Sequence, residues 1–496
     1  MMGARMLTKS DYMSWRECPL RLWLEKKRKD LLPSPDPGLE EVFAQGREVD
    51  DFARRLFPGG IEVSGFNAAG WAGFQRLLGE GHGIFYQPSV VTDGGFACRA
   101  DIVVRDGRTG ALHLLEVKSS TRVKDNHLYD VAFQRLCFKD AGLPVSLVSV
   151  VHLNKDFVRH GEIDSRRILT VRNVTDEAAE LEAETRRARG KALAVLGWDV
   201  RLTPERLVAC PHDTDCPWRE AFLSGVAGDL TENLSAWPRS AVVEMLEAGI
   251  VSVNRLPADL RPGFSGVVCV DDACPPPVVR HEALREELDG LEYPLYFLDY
   301  ETYSPALPWY DGYSTYQRIP FQFSLDIVDK PGAATRHVDF LADDDGDPSA
   351  SLVAALRAAI GPRGRLVSWN AVFEKGVNDE LARRLPRDAD FLLDLNERMY
   401  DLMLVFRRGR LYSDPRCRGS ASLKAVAPAL IGDPYAGLGI KAGGAASASW
   451  PKLVGRRGEV GDRAALRRDL LEYCAVDTMS MVRILNLLRK TVSHGN

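Results

Sequence analysis

The alternation of apolar and polar positions divides the chain into two patterned regions with a connector between them. Residues 11–29 (DYMSWRECPLRLWLEKKRK) and 39–57 (LEEVFAQGREVDDFARRLF) repeat apolar side chains at helical spacing. Three short strand-like runs follow: IFYQPSVV (84–91), FACRADIVVRD (96–106) and ALHLLEVKSS (111–120), broken by DGG and DGRTG turns. A helix over 126–142 (NHLYDVAFQRLCFKDAG) and a strand over 144–153 (PVSLVSVVHL) complete an α/β pattern, a meander followed by a helix and a fourth strand, within a domain assigned to 1–225. Residues 226–290 read as a connector, with one helical piece (SAVVEMLEAG) ahead of the Pro/Gly-rich tract LPADLRPGFSGVVCVDDACPPPVV. From 291 to 496 the pattern restarts. Strands are predicted in YPLYFLDYE, FQFSLDIV, RHVDFLA and RLVSWN, and helices near SLVAALRAAI, over VFEKGVNDELARRL and over the closing DLLEYCAVDTMSMVRILNLLRK. GGAASASW (443–450) is expected to be a flexible loop, and no internal repeat is present.

Length and composition narrow the class. A chain of 496 residues exceeds what one hydrophobic core supports, so two or three domains are expected. With 45% hydrophobic and 27% charged residues, and no apolar run near the roughly 18 residues that would span a bilayer, a membrane role is not expected. The first fifteen residues lack the apolar core of a secretory signal, which makes the cytoplasm the default location. Nine cysteines argue against a disulfide framework. The net charge of -5 and pI near 6.1 give no global footprint for nucleic acid. Basic stretches at 21–30, 186–191, 405–410 and 454–469 each read first as solvated helix faces.

The first candidate chemistry is in LLEVKSS. Glu116 and Lys118 are two apart on a strand and emerge on one face, and a meander brings Asp101 beside Glu116. Two carboxylates held that close repel unless a divalent cation lies between them, and a neighbouring lysine can position an attacking water. A surface Glu/Lys pair on a half-buried strand is the plainer reading of the triplet alone.

In context, this constellation resembles the PD-(D/E)XK nucleases of the RecB and CRISPR-associated type. Asp101, then Glu116-Val117-Lys118, then a helix with Gln134 and Phe138 follows that family's order, with Phe where Tyr is usual. The resemblance implies that Asp101 and Glu116 bind Mg²⁺ or Mn²⁺, that Lys118 assists the nucleophile, and that Gln134 orients substrate or water. In GREVDDFA, Asp50 stands where a metal-supporting His is common. Many such nucleases also carry an iron–sulfur cluster on four thiolates. Cys18, Cys210 and Cys216 occupy comparable places, with Leu207 and Phe222 where a fourth is expected; His212 could complete a Zn²⁺ site instead, and isolated thiols are an equal alternative. Cys98, Cys137, Cys417 and Cys474 fall on apolar patterns and read as core.

The second constellation is in YPLYFLDYETYSP, where Asp299 and Glu301 share one strand face inside an apolar run. Burying such a pair is costly without a cation. WNAVFEK supplies Glu374 early in a helix after Asn370, and LEYCAVDT puts Tyr473 and Asp477 at i and i+4 on one helical face. Four carboxylates so placed could hold two metal ions about 3.5–4 Å apart, with the tyrosine hydroxyl orienting water.

These motifs resemble the tyrosine subtype of the DEDD exonucleases, with an RNase H-like fold. Asp299 and Glu301 match its D-x-E, and Tyr473 and Asp477 its Y-x3-D. Glu374 stands where Asp is usual, with Asp401 as the alternative ligand, and SASLKAVAPALIG with Lys424 looks like the S-L-x-x-L helix of related enzymes. As a whole the chain resembles a bacterial family of predicted nucleases joining a RecB-like PD-(D/E)XK domain to a DEDD domain. That implies a metal-dependent nuclease acting on DNA, on single strands or 3′ ends. The alternatives are an RNA exonuclease, for which the aromatic stretch PWYDGYSTYQR could stack bases equally well, or a degenerate nucleic-acid-binding scaffold.

Overall fold

Pro19 splits the first expected helix. A proline pushes the residue before it out of helical geometry, and Cys18 is extended (φ -160°, ψ 122°), so two helices, Lys9–Glu17 and Pro19–Lys27, replace one. This is seen in a computed structural model of the protein, which describes residues 6–31, 37–203, 216, 218, 221–222, 276–407, 410–417 and 420–493. The fold is mixed α/β, and no helix among the described residues is long and apolar enough to cross a membrane. The expected connector helix at 240–249 lies outside the described residues.

The chain forms two units. Unit 1 takes in Met1–Pro35, Leu39–Arg201 and Ser304–Gln317. Its described residues include the strands β1 (Leu7–Thr8), β2 (Ile61–Glu62), β3 (Ile84–Tyr86), β4 (Ser89–Val91), β5 (Phe96–Arg99), β6 (Ile102–Arg105), β7 (Leu112–Lys118), β8 (Val145–Leu153) and β9 (Leu169–Asn173). They make a six-stranded sheet, β2-β3-β6-β7-β8-β9, and a small one, β1-β5-β4. The expected three-stranded meander is therefore cut. Its first two strands break at Gln87, which is left-handed (φ 54°) and precedes Pro88, and at Ala100–Asp101, so the hairpin passes from one sheet into the other. Backbone hydrogen bonds Gln87 N to Asp101 O (2.9 Å) and Ala100 N to Pro88 O (3.1 Å) close this corner, with Asp101 just ahead of β6. Alternation along β7 sends Leu115 and Val117 into one core, with Val49, Ile102 and Val151, and turns Glu116 and Lys118 to the opposite face. Helix Asp125–Asp140 lies after β7, and its Val131 packs with Val148 and Val150.

Unit 2 is built on a five-stranded sheet of order β13-β12-β11-β14-β15, with β11 (Leu295–Tyr303) in the middle. Its neighbours are β12 (Ile319–Val328), antiparallel, and β14 (Arg365–Ser368), parallel; β13 (Arg336–Leu341) and β15 (Met399–Asp401) flank them. The short strands β10 (Val278–Val279) and β16 (Tyr412–Ser413) pair separately. Tyr296, Leu298 and Tyr300 of β11 join Phe323, Leu325 and Ile327 of β12 in a core against helices Ser349–Ala359 and Ala371–Arg384. The other face of the same two strands, carrying Asp299, Glu301, Gln322 and Ser324, meets helix Arg463–Ser493: Gln322 donates to Leu470 O (2.8 Å), and the hydroxyls of Ser324 and Thr478 lie 2.7 Å apart. The acids thus stand on the polar side of a strand whose alternate positions build the core. GGAASASW is a correction: it is helical within Gly443–Leu453. Burial overrides its Gly/Ser composition, because Trp450 stacks on Phe321 at 4.9 Å and donates from Nε1 to Ala342 O (2.9 Å).

Candidate functional site

In unit 2, a ligating oxygen from each of Asp299, Glu301 and Asp477 lies within 4.8 Å of the other two. Strand period two puts the first pair on one face, and a β-bulge between Glu301 and Thr302 ends the regular register just beyond them. Asp477 comes from the long closing helix, one turn after Tyr473, and both are buried. Withdrawal from water, reinforced by Asp477, pushes the Asp299 carboxyl up to about 8; burial and then Asp299 and Asp477 hold Glu301 well above the usual range, and burial raises Asp477 as well. Without a counter-charge, the ionised forms are disfavoured.

Partial relief comes from Tyr435 and Cys474, which the sequence motifs did not assign to the site, and from Lys424. The Tyr435 hydroxyl donates to Asp477 Oδ1 at 2.5 Å, and the Cys474 thiol lies 3.3 Å from Asp299 Oδ2. Cys474 is therefore buried as expected of a core residue, yet also lines the site. The Lys424 ammonium sits 4.6 Å from the Tyr473 ring centroid and 5.0 Å from that of Tyr435; burial lowers its pKa, opposed by Asp477, Glu301 and Asp299. Gly443 borders the site: a Cβ built there would be in ordinary contact with the Tyr473 hydroxyl (3.8 Å) and Glu301 Oε2 (3.9 Å).

Glu374 stands outside the close group. It is in the first turn of helix Ala371–Arg384, after the left-handed Asn370 (φ 71°), a conformation Asn tolerates. Its side chain is buried, and Oε2 has no hydrogen-bond partner among the described residues. Burial and then Asp299 raise its pKa well above the ordinary value. Asp401 is engaged elsewhere, its Oδ1 accepting from the backbone of Asn370 and of Met403, both at 3.1 Å.

In unit 1 the predicted residues also converge, but with Glu116 already paired to lysine. Lys118 Nζ donates to Glu116 Oε1 (2.7 Å) and Asp130 Oδ2 (2.6 Å), and Gln134 Nε2 donates to Glu116 Oε2 (2.6 Å) and Asp130 Oδ1 (2.9 Å). A second lysine, Lys9, donates to Glu116 Oε1 at 2.7 Å and lies 3.4 Å from Asp130 Oδ1. Burial opposes the charge on both lysines, but Asp130 and Glu116 outweigh it and raise their pKa values. Asp101 is held by Val117 N–H (2.7 Å) and Gln87 Nε2 (3.1 Å). Asp50 is drawn to Arg54 at 3.1 Å, with Oδ1 buried and unpartnered among the described residues. Sequence reasoning missed Lys9 and Asp130. Asp130 is legible in hindsight, four residues before Gln134 on one helical face; Lys9, 107 positions from Glu116, carries no local signal.

Cys18 and Cys216 are half-buried, whereas Cys210, His212 and Leu207 lie outside the described residues. Phe222 is buried, as are Cys98, Cys137 and Cys417.

A domain of unknown function (DUF2779) matches residues 296–422, a span that takes in Asp299, Glu301 and Glu374 and ends before Lys424, Tyr473 and Asp477. No curated protein matches this chain. A solved structure titled "Crystal structure of SSO0001" is similar at 14% identity and a TM-score of 0.22, over 44% of this chain and 89% of that one.

Proposed function

We propose that the protein is a metal-dependent nuclease that hydrolyses phosphodiester bonds of DNA, at single strands or 3′ ends, with its catalytic centre on β11 and the closing helix of unit 2. The observation that carries this reading is the close approach of the Asp299, Glu301 and Asp477 oxygens in surroundings that disfavour their charge. An all-carboxylate donor set suits a hard divalent ion, Mg²⁺ or Mn²⁺, and the orphaned Glu374 Oε2 is a buried acceptor in want of a partner. Asp299, Glu301 and Asp477, with Glu374, would hold the metal, which supplies Lewis acidity and an activated water when bound.

The protein's own groups have separate tasks. Tyr435 fixes the orientation of Asp477 by its hydrogen bond. The Tyr473 hydroxyl, beside Asp477 and Glu301, would hold a water for in-line attack. Lys424 offers positive charge where a phosphate's negative charge grows. The order of these motifs supports an RNase H-like DEDD reading of unit 2, and the convergence of Glu116, Lys118 and Gln134 supports a PD-(D/E)XK reading of unit 1. There, Glu116 and Asp130 are paired with Lys118 and Lys9 and bridged by Gln134, with Asp101 held by the backbone nearby. Two ammonium groups already take up the carboxylates of Glu116 and Asp130, so this arrangement does not fit a metal and no metal step is assigned to it.

Cleavage of end-labelled single-stranded DNA and matched RNA in Mg²⁺ or Mn²⁺ tests the reading. Asp299→Ala and Asp477→Ala should each abolish it, as EDTA should. Cleavage that survives both substitutions overturns the assignment, and a preference for RNA moves the substrate.

A further inference from the structure

Unit 1 holds a cavity of about 390 Å³ whose lining contains no acidic residue. Its walls are the loop that leaves β7 at Lys118, with Ser119, Ser120, Thr121, Arg122 and Lys124, and the first turn of the following helix at His127. Lys118 is shared between Glu116 and Asp130. Arg122 and Lys124 are exposed and make no ion pair among the described residues, so their charge faces solvent unspent. Ser120 steadies the loop by donating to the Arg122 carbonyl (2.7 Å). The Lys124 N–H donates to His127 Nδ1 (3.2 Å), which puts the proton of a neutral imidazole on Nε2 and leaves it a donor. The remaining wall is Tyr316. Its backbone is left-handed (φ 57°), and its hydroxyl donates to the Ser119 carbonyl, so the ring is tethered at both ends.

Two free cations, three hydroxyls and a fixed aromatic ring around one opening are the elements that bind a phosphate next to a flat ring or sugar. The volume lies at the lower end of the roughly 300–1,000 Å³ of small-molecule sites. That suits one nucleotide and is too small for a duplex. We propose that this cavity is a phosphate-binding subsite for a single nucleotide unit of a nucleic-acid strand, with Arg122 and Lys124 meeting the phosphate and the Tyr316 ring packing on the sugar or base. The identity of the ligand rests on the nucleic-acid reading above, but the binding does not depend on cleavage.

The test is fluorescence anisotropy of a labelled single-stranded DNA oligonucleotide, with and without a 5′ phosphate, on the full chain in EDTA, with inorganic phosphate as competitor. The Arg122→Ala/Lys124→Ala double variant should weaken binding about tenfold or more and flatten the dependence of log affinity on log salt by about one to two. Tyr316→Ala should cost at least about fivefold, whereas Tyr316→Phe keeps the ring and most of the affinity. A preference for the phosphorylated end supports the proposal with a terminal phosphate, and equal affinity for the two oligonucleotides supports it with an internal one. Unchanged affinity and salt slope in the double variant overturn it, as does a wild type that binds neither the oligonucleotide nor inorganic phosphate. If the double variant loses binding while the wild type shows no metal-dependent cleavage, the subsite stands and the nuclease reading falls.

Discussion

Tyr435 donates a 2.5 Å hydrogen bond to Oδ1 of Asp477, a residue 42 positions away on the closing helix. The bond anchors a carboxylate that belongs to the acid cluster. Tyr435→Phe removes the hydroxyl and keeps the ring beside Lys424. Outer partners of metal-binding carboxylates are typically worth 10–100-fold in affinity or activity. The variant should therefore fold normally and need about tenfold more Mn²⁺ for half-maximal cleavage, as read from metal titrations of the rate.

Lys9 and Lys118 together neutralise Glu116 and Asp130 in a buried network. Removing one partner of a buried ion pair typically costs about 3–5 kcal/mol, because the other charge is left uncompensated. With Lys118 still in place the loss should fall at the low end, about 3 kcal/mol for Lys9→Met, measured by urea unfolding in EDTA. A loss below about 1 kcal/mol would mean that Lys9 is an exposed surface charge.

The placement of Asp299 and Glu301 on one face is legible in the sequence because strand alternation is strict and both neighbours on β11, Leu298 and Tyr300, belong to the core. Tyr473 and Asp477 are legible for the analogous reason on a helix. The partners of these residues are not. Tyr435 follows Asp433 and Pro434 in a loop with no periodicity, and Lys9 reaches Glu116 only through tertiary folding. Helix Gly443–Leu453 escapes detection because its stability comes from burying Trp450 and Ala446, which no local propensity reports. The break in the first hairpin escapes as well: Gln87 adopts a left-handed conformation that the corner imposes on it, and Pro88 is the sole local signal.

His127 is buried on the first turn of helix Asp125–Asp140, and its pKa is pushed down to about 4 by burial and then by the charge of Lys118. In the unfolded chain it titrates near 6.5. Between these values the unfolded state binds the extra proton, so its contribution to stability is complete above pH 6.5 and is lost as pH falls toward 4, at up to about 1.4 kcal/mol per pH unit. Unfolding free energies measured at pH 4.5 and 7.5 should differ less in His127→Gln than in the wild type. An equal pH difference in both would place His127 in water.

The central claim is that Asp299, Glu301 and Asp477 gather around a divalent ion, and calorimetric titration of the full chain with Mn²⁺ tests it most directly. The account predicts saturable binding that Asp477→Asn weakens at least about tenfold and that Glu116→Gln leaves in place. A wild type that takes up no Mn²⁺ at millimolar concentration, or an Asp477→Asn variant that binds as the wild type does, would contradict it.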